Sequence, residues 1–266
     1  MSASTLARTE PWRGLAEVPP GWGPCVVTIG VFDGVHRGHA SLIDRAVRLG
    51  RESGVPTVLV TFDPHPARVV GPPRDTAALS TPRRRAWLAS GLGVDAVLVL
   101  PFTPELAATP AEEFVGSVLV DGLGACAVVV GSNFRFGARA AGDVALLREL
   151  GARHGFTAEG VELLHTADVR CSSSHVRLCL ALGDVTAAAR ALGRPHRVEG
   201  RLDGHLLAVP PGTAVPASGR YLGLLTPADD APEAVEVVVD DGTVAVHGAA
   251  RRSGVATLDF VQEAGW

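Results

Sequence analysis

The sequence predicts an α/β protein: a doubly wound parallel sheet followed by a small β-barrel-like domain. Over residues 24–196, apolar runs of strand length alternate with amphipathic segments of helix length, as in βαβ crossovers. The strand-like runs are apolar without alternation, which is typical of parallel strands covered on both faces. Beyond residue 196 the helical patterns stop, and short strand-like runs follow one another.

Four apolar runs are the predicted strands of the sheet, and the segments between and after them are the predicted helices. The strands are residues 25–30, 56–62, 95–100 and 126–131. The helices are residues 39–52, 81–92, 111–123 and 142–154, with a further pair at 172–182 and 184–192. In the first helix, Leu42, Ile43 and Ala46 share one face, which is the pattern of a helix packed on a sheet.

The chain divides into three predicted segments. Residues 1–23 are rich in Pro, Gly and Trp and are expected to form an irregular lead-in. Residues 24–196 are expected to form the α/β domain, and residues 197–266 the small β domain. Within the latter, Asp241-Gly242 lies between two valine-rich runs and predicts a β-hairpin.

Composition narrows the classes of function. A net charge of −4 and a pI of about 6.1 argue against a nucleic-acid or membrane-surface binder, so small molecules are the expected partners. The four cysteines form no CxxC pair, which argues against a zinc site or a disulfide framework. No apolar run approaches the roughly 18 residues of a membrane span, and residues 1–15 lack the apolar core of a signal peptide. The cytoplasm is the expected compartment; composition does not indicate an oligomeric state.

The strongest functional motif, GVFDGVHRGH, occupies residues 30–39 between the first strand and the first helix. Ligands of doubly wound sheets bind at such strand-to-helix turns. His36 and His39 could both point at one phosphate, and imidazole donors suit the charge that develops on an α-phosphate under in-line attack. Glycine lets the backbone approach a phosphate closely, and the motif has three: Gly30, Gly34 and Gly38. The alternative is a glycine-rich turn with two solvated histidines.

A second motif, TFDPHP, follows the second strand at residues 61–66. Its two prolines favour a rigid loop, and Phe62 and His65 could offer flat surfaces to a ligand. The alternative is a stiff exit from the strand with no ligand role.

A third motif, GSNFRFG, follows the fourth strand at residues 131–137. Asn133 is short and polar, which suits it to holding a ligand or a turn. The alternative for Phe134 and Phe136 is that they cap the core.

A fourth motif, SSSHVR, opens a helix at residues 172–177. Serine is a strong N-cap residue, and a helix N-terminus attracts anions. Arg177 lies one turn into the helix and could reach the same anion. The alternative is ordinary capping with a surface arginine.

In combination these motifs resemble the HxGH nucleotidylyltransferase superfamily. They are similar above all to the adenylyltransferase (FAD synthetase) module of bacterial bifunctional riboflavin kinase/FAD synthetases. The resemblance extends over residues 12–196 in the order of that family and includes AAGD at 140–143 and LGRP at 192–195. The family has Ile and Thr where this chain has Cys171 and Ser174.

The resemblance implies a Rossmann-like fold and transfer of AMP from ATP to FMN, with Mg²⁺ as cofactor. It implies that His36 and His39 stabilise the α-phosphate, that Asn133 contacts the substrates at the reaction centre, and that the opening of the 172–182 helix holds the departing phosphates. The implied nucleotide-binding residues are Gly30, Phe32, Asp33, Gly34, Gly38, Ser173, Ser174 and Arg177. The implied flavin-side residues are Phe62, Asp63, His65 and Asn133. The resemblance gives no metal ligand.

The tail departs from that family. The kinase barrel of the bifunctional enzymes carries a Pro-Thr-Ala-Asn motif that serves ATP and magnesium, and this chain has none. Residues 197–266 are therefore interpreted as a degenerate kinase domain without riboflavin kinase activity. If the tail is only a remnant of the fold, a chain ending near Arg194 should keep adenylyl transfer. Two alternatives remain open: a nucleotidylyltransferase with another nucleotide or acceptor, and a non-catalytic flavin- or nucleotide-binding regulator.

Overall fold

The structure, a computed structural model, describes residues 10–71, 75–162, 171–228, 230–248 and 252–264. The chain divides into two compact units. The first unit comprises residues 1–74 and 82–164, and the second comprises residues 75–81 and 165–266.

The first unit contains a parallel sheet, as predicted, and this sheet has six strands. Its strands are β1 (Trp12–Arg13), β2 (Cys25–Ile29), β3 (Thr57–Asp63), β4 (Ala96–Pro101), β5 (Ala125–Gly131) and β6 (Thr157–Val161), in the order β1-β4-β3-β2-β5-β6. Val27 of β2 lies opposite Val58 of β3 and Val128 of β5. The chain progresses from β2 through β3 to β4 in one direction and from β5 to β6 in the other. The topological switch point, where such sheets bind ligands, is therefore between β2 and β5.

Helices cover both faces of this sheet. They are α1 (Arg37–Ser53), α2 (Pro66–Val69), α3 (Pro82–Gly91), α4 (Pro104–Ala108), α5 (Ala111–Phe114, continued by a π-helix over Val115–Gly122) and α6 (Val144–His154). Val26 of β2 packs in one apolar cluster with Ile43 of α1, whereas Val27 packs in another with Leu147 of α6. The four inner strands, β2 to β5, are largely buried on both faces, which explains why their sequences are mostly apolar.

Two strands of the sheet were not predicted from the sequence. β1 lies within the expected lead-in of residues 1–23, where Trp12 lies opposite Leu98 of β4. A two-residue strand carries no pattern that sequence reasoning could recognise. β6 is only partly buried and contains Glu159 and Gly160, so it lacks a continuous apolar run.

The second unit contains a closed antiparallel barrel and two helices. The helices are α7 (Ser173–Ala181) and α8 (Val185–Leu192). The strands are β7 (His196–Gly204), β8 (Leu206–Ala208), β9 (Gly219–Pro227), β10 (Glu233–Asp240), β11 (Thr243–His247) and β12 (Arg252–Glu263), in the order β10-β11-β8-β7-β12-β9. The hairpin between β10 and β11 is confirmed: Asp241 and Gly242 have φ of 43° and 77°, and positive φ at both positions is typical of a type I′ turn.

The helices α7 and α8 share one apolar cluster with the barrel. Leu180 and Leu192 from the helices pack in the same cluster as Val198 and Phe260 from the barrel. The compact units therefore separate before α7, whereas the sequence placed a boundary at residue 196. The helical pattern identifies an apolar face but does not say which sheet covers that face.

Two general features concern the chain as a whole. Within the described ranges, no helix is both long and apolar enough to cross a bilayer. The four cysteines, Cys25, Cys126, Cys171 and Cys179, form no disulfide.

Candidate active site

The turn between β2 and α1 has a strained backbone. Phe32 and Val35 have φ of 49° and 39°, and the amide of Val35 donates a hydrogen bond to the carbonyl of Phe32 at 3.0 Å. Positive φ is costly for a bulky side chain, on the order of 1–3 kcal/mol for each such residue. Strain of this kind persists only where the surrounding structure enforces it, and it concentrates at functional sites.

The geometry around His36 fixes its tautomer. His36 is buried and is the N-cap residue of α1, where its Nδ1 accepts a hydrogen bond from the backbone amide of His39 at 3.3 Å. A ring nitrogen that accepts carries no proton, so neutral His36 is protonated on Nε2. The turn therefore holds His36 as an Nε2–H donor.

His39 forms a stacked pair with His36. The ring centroids are 3.6 Å apart with an interplanar angle of 21°, and the edge of Phe32 contacts His39 at a centroid distance of 5.1 Å. Burial holds the pKa of His39 well below its usual 6.5, and the neighbouring His36 and Arg85 lower this pKa further. His39 is thus a neutral imidazole at pH 7, able to donate a hydrogen bond without adding a fixed charge.

Sequence reasoning missed Arg85, which lies beneath this turn. Arg85 belongs to α3 and is only 4% exposed. Its Nη1 donates to Thr61 Oγ1 at 2.8 Å and to the carbonyl of Phe62 at 3.1 Å, and its Nη2 lies 3.7 Å from Asp33 Oδ1. Thr61 Oγ1 donates in turn to the carbonyl of Val31 at 2.7 Å. One guanidinium thus connects the end of β3 to the turn after β2.

A weak sequence signal could have found Arg85. It is the third of three consecutive arginines, and only its position on the helix distinguishes it. Arg83 is exposed beside Glu10, whereas Arg85 and Ala89 are both buried and lie four residues apart on the apolar face of α3.

The second motif divides between core and surface. The ring of Phe62 is buried in the core, edge-on to Phe102 at a centroid distance of 5.5 Å, so Phe62 does not offer the flat surface expected of a flavin contact. Asp63 is exposed at the end of β3. His65 is the N-cap residue of α2, and its Nδ1 accepts from the amide of Ala67 at 3.1 Å, which makes its Nε2 the donor.

In the first motif, the phenylalanine and the aspartate that the resemblance implies for nucleotide binding both have buried side chains. Phe32 is 1% exposed and packs in the core behind the turn, so its ring supports His39. Asp33 is 2% exposed and faces Arg85. Both residues shape the turn from within, and neither presents its side chain to solvent.

Asn133 is exposed in the turn that follows β5. Since β5 and β2 are neighbours, the turn that holds Asn133 and the turn that begins at Gly30 leave the same edge of the sheet, at its switch point. Phe134 and Phe136 stack with a centroid distance of 5.5 Å, and Phe136 is buried in the core. The core-capping alternative therefore describes these two phenylalanines.

The fourth motif belongs to the second unit. The N-cap of α7 is Ser172, whose hydroxyl accepts from the amide of His175 at 3.2 Å, while Ser173 and Ser174 are the first two residues of the helix. Arg177 is 5% exposed, and its Nε donates to the carbonyl of Ala77 at 2.7 Å. Arg177 is therefore a buried residue that anchors residues 75–81, rather than a surface arginine.

The described residues do not form a metal cage. No group of three or more His, Cys, Asp or Glu side chains converges within the described ranges. Asp33 is the carboxylate closest in sequence to the paired histidines, but it is buried against Arg85. We therefore assign no metal ligand on this chain.

The first unit thus brings His36 and His39 together at its switch point. Both lie at the N-terminus of α1, the end at which a helix dipole attracts negative charge. Preorganised donors of this kind stabilise charge that develops on a phosphoryl group.

Comparisons with known proteins identify the family of the chain. A family model described as FAD synthetase matches residues 19–175. The bifunctional riboflavin kinase/FMN adenylyltransferase of Pseudomonas fluorescens is 42% identical over 221 residues, which are 79% of this chain and 71% of that protein. The protein of the same description from Escherichia coli K12 is 36% identical over 67% of this chain and 57% of its own length. A FAD synthetase of Listeria monocytogenes is 31% identical over 84% of this chain and 90% of its own length.

One solved structure shares the fold along nearly the whole chain. It is described as a macrolide-efflux protein from Streptococcus pneumoniae, with a TM-score of 0.80 and 20% identity, and the match covers 97% of this chain and 92% of the other. At this identity the similarity shows the fold alone.

Proposed function

The chain belongs to the FAD synthetase family, and we propose that it is an FMN adenylyltransferase. A phosphate oxygen of FMN attacks the α-phosphorus of ATP, the bond from that phosphorus to the bridging oxygen breaks, and FAD and pyrophosphate form. The observation that carries the proposal is the stacked pair of imidazoles at the switch point of the sheet, in which burial lowers the pKa of His39. A phosphate monoester dianion is already a nucleophile, so the reaction needs no general base and depends on positioning and charge stabilisation.

We assign the transition-state contacts to the first unit. The Nε2–H group of His36 and the imidazole of His39 donate to the oxygens of the α-phosphate as its charge grows. Asn133, at the end of the neighbouring strand, orients the reacting phosphates. We assign Asp63, the last residue of β3, and His65, which follows that strand, to the acceptor side of the site.

The departing pyrophosphate is assigned to the opening of α7 in the second unit. The backbone amides of the first helical turn are natural donors to phosphate, and the hydroxyls of Ser173 and Ser174 add to them. Arg177 supplies positive charge one turn into the helix. Mg²⁺ would enter with ATP, because this ion is typically held by substrate phosphates and few protein ligands.

The barrel is proposed to lack riboflavin kinase activity. The motivation is the absence of Pro-Thr-Ala-Asn from the sequence. Phosphoryl transfer depends on metal ions and positioned side chains that neutralise charge, and the chain lacks the motif that would provide them. The Listeria relative, described as a FAD synthetase, matches this chain over 90% of its own length.

We expect the protein to convert FMN and ATP with Mg²⁺ into FAD and pyrophosphate, and to form no FMN from riboflavin under the same conditions. Chromatography of the flavins and an enzymatic assay of pyrophosphate measure both reactions. Other triphosphates and other phosphorylated acceptors are tested in parallel, because the departure in the tail favours a specialised acceptor as the second candidate. Turnover only with another triphosphate or another acceptor would select the second candidate. Flavin binding without turnover of any combination of triphosphate and acceptor would indicate a non-catalytic binder.

Arg177→Ala is expected to weaken ATP binding by about 1.5–3 kcal/mol, roughly 10- to 100-fold in Kd, through loss of a charge-assisted contact. Calorimetric titration of ATP and of FMN measures the effect, which should be confined to ATP. Arg177→Lys keeps the charge but removes the Nε donor to the carbonyl of Ala77. Comparison of the two variants therefore separates the effect of the charge from the effect of this hydrogen bond. Arg190→Ala, at an exposed position of α8, is the matched control. Equal ATP affinity in Arg177→Ala and the parent would remove Arg177 from the site.

The cytoplasm is the compartment we propose. Four cysteines that form no disulfide are consistent with a reducing environment, and ATP and FMN as substrates fit the same setting.

A further inference from the structure

Arg85 makes three polar contacts with residues outside its own helix, α3. Its guanidinium reaches Thr61 Oγ1, the carbonyl of Phe62 and the carboxylate of Asp33. Asp33 lies within the strained turn, three residues before His36. The guanidinium thus connects the end of β3 to the loop that presents both histidines.

The arrangement is difficult to explain by stability alone. Nε of Arg85 is buried and has no hydrogen-bond partner among the described residues, and a buried unsatisfied donor costs on the order of 1–3 kcal/mol. Burial lowers the pKa of the guanidinium, although Asp33 and Asp63 act in the opposite direction. Apolar side chains of similar volume often stabilise a core as well as a buried ion pair does. The planar guanidinium of an arginine instead fixes the directions of the hydrogen bonds to its partners.

We propose that Arg85 is a positioning residue for adenylyl transfer, because its guanidinium holds the turn of residues 31–36 against the end of β3. The inference rests on the proposed function. Arg85 acts through the loop and through His39 and does not contact substrate. A catalytic arrangement tolerates little displacement, and a shift of about 1 Å can reduce turnover roughly 100-fold.

Arg85 also contributes to lowering the pKa of His39. Burial, His36 and Arg85 together lower the pKa of His39. Removal of the positive charge at residue 85 should therefore raise the pKa of His39 toward 6.5. This change is a specific signature, because a general loosening of α3 would not require it.

The test compares two substitutions. Arg85→Met removes both the charge and the planar guanidinium, whereas Arg85→Lys keeps the charge and removes the guanidinium. Arg83→Met, at an exposed position two residues earlier in the same helix, is the matched control. Steady-state kinetics give kcat and KM for ATP and FMN, and NMR titration of the histidine rings gives the pKa of His39. Thermal unfolding shows whether each variant is folded.

We expect Arg85→Met to lower kcat at least ~10-fold, with KM values within about 3-fold of the parent, and to raise the pKa of His39. Arg85→Lys should keep the pKa of His39 near the parent value and still lower kcat, whereas Arg83→Met should match the parent in both. If Arg85→Met does not fold, Arg85→Lys with parental kcat overturns the proposal. Parental kcat or an unmoved His39 pKa in folded Arg85→Met also overturns it. A parent protein without adenylyl transfer would overturn the proposed function, and the His39 titration would then show separately whether Arg85 supports the histidine turn.

Discussion

His39→Ala is expected to lower kcat for adenylyl transfer by about 10²- to 10³-fold, while the Kd for FMN changes by less than about 3-fold. His39 stacks on His36, and its ring is neutral at pH 7, so it contributes a directed hydrogen bond rather than a net charge. An interaction that strengthens only as charge develops on the α-phosphate changes kcat and leaves substrate binding nearly constant. Rapid-quench measurement of FAD formation, together with flavin fluorescence titration, separates the two effects.

His36 needs a different substitution, because it also caps α1 through Nδ1. His36→Ala removes the cap, at a cost of about 1 kcal/mol, together with the Nε2–H donor. Asparagine is among the best N-cap residues, so His36→Asn keeps an acceptor for the helix and removes the imidazole. We expect both variants to lose turnover to the same extent, with only His36→Ala losing thermal stability.

The control for both histidines is His154→Ala, at an exposed position in the last turn of α6. It should match the parent in kcat and in Kd for FMN. Near-parental turnover of His39→Ala or His36→Asn would show that the histidine pair does not stabilise the transition state.

The parallel sheet could be predicted because its four inner strands are largely buried on both faces and are mostly apolar. The histidine turn could be predicted because its glycines and histidines follow a strand at close spacing. The supporting layer beneath the turn could not be predicted. Arg85 contacts Thr61, which is 24 positions away in sequence, and only its position on the buried face of α3 distinguishes it from the exposed Arg83.

The roles of the phenylalanines were also beyond sequence reasoning. Phe32 and Phe62 occur within ligand-side motifs, yet both rings are buried in the core. A motif defines which residues are near a ligand edge, but the direction of each side chain follows from the φ of the turn and from the phase of the strand. Phe32, for example, has φ of 49°, and its ring packs behind the turn.

A chain shortened to end at Arg194 is expected to lose adenylyl transfer at least ~100-fold, because it removes the barrel that covers α7 and α8. Leu180 and Leu192 pack in the same apolar cluster as the barrel strands. Exposure of a fully buried leucine costs about 1.5–3 kcal/mol, and several such residues would be exposed at once. This result would differ from the expectation that the tail is a dispensable remnant.

The same truncation would also release residues 75–81, on which Arg177 depends. The amide of Ala78 donates to the carbonyl of Gly212 at 2.7 Å, and the amide of Ala214 donates to the carbonyl of Ala78 at 2.9 Å. Without these bonds the carbonyl of Ala77 is no longer held for the Nε of Arg177, so the helix opening assigned to pyrophosphate loses its support.

Circular dichroism, hydrogen exchange over α7 and α8, and FAD formation together measure the effect of the truncation. We expect lost protection in both helices and lost turnover, with protection in the parallel sheet retained. Leu182→Ala is the matched control for the helix pair, because Leu182 is 73% exposed and its loss should change stability by less than about 0.5 kcal/mol. A shortened chain with protected helices and parental kcat would show that α7 and α8 hold their geometry without the barrel. The tail would then be dispensable for adenylyl transfer.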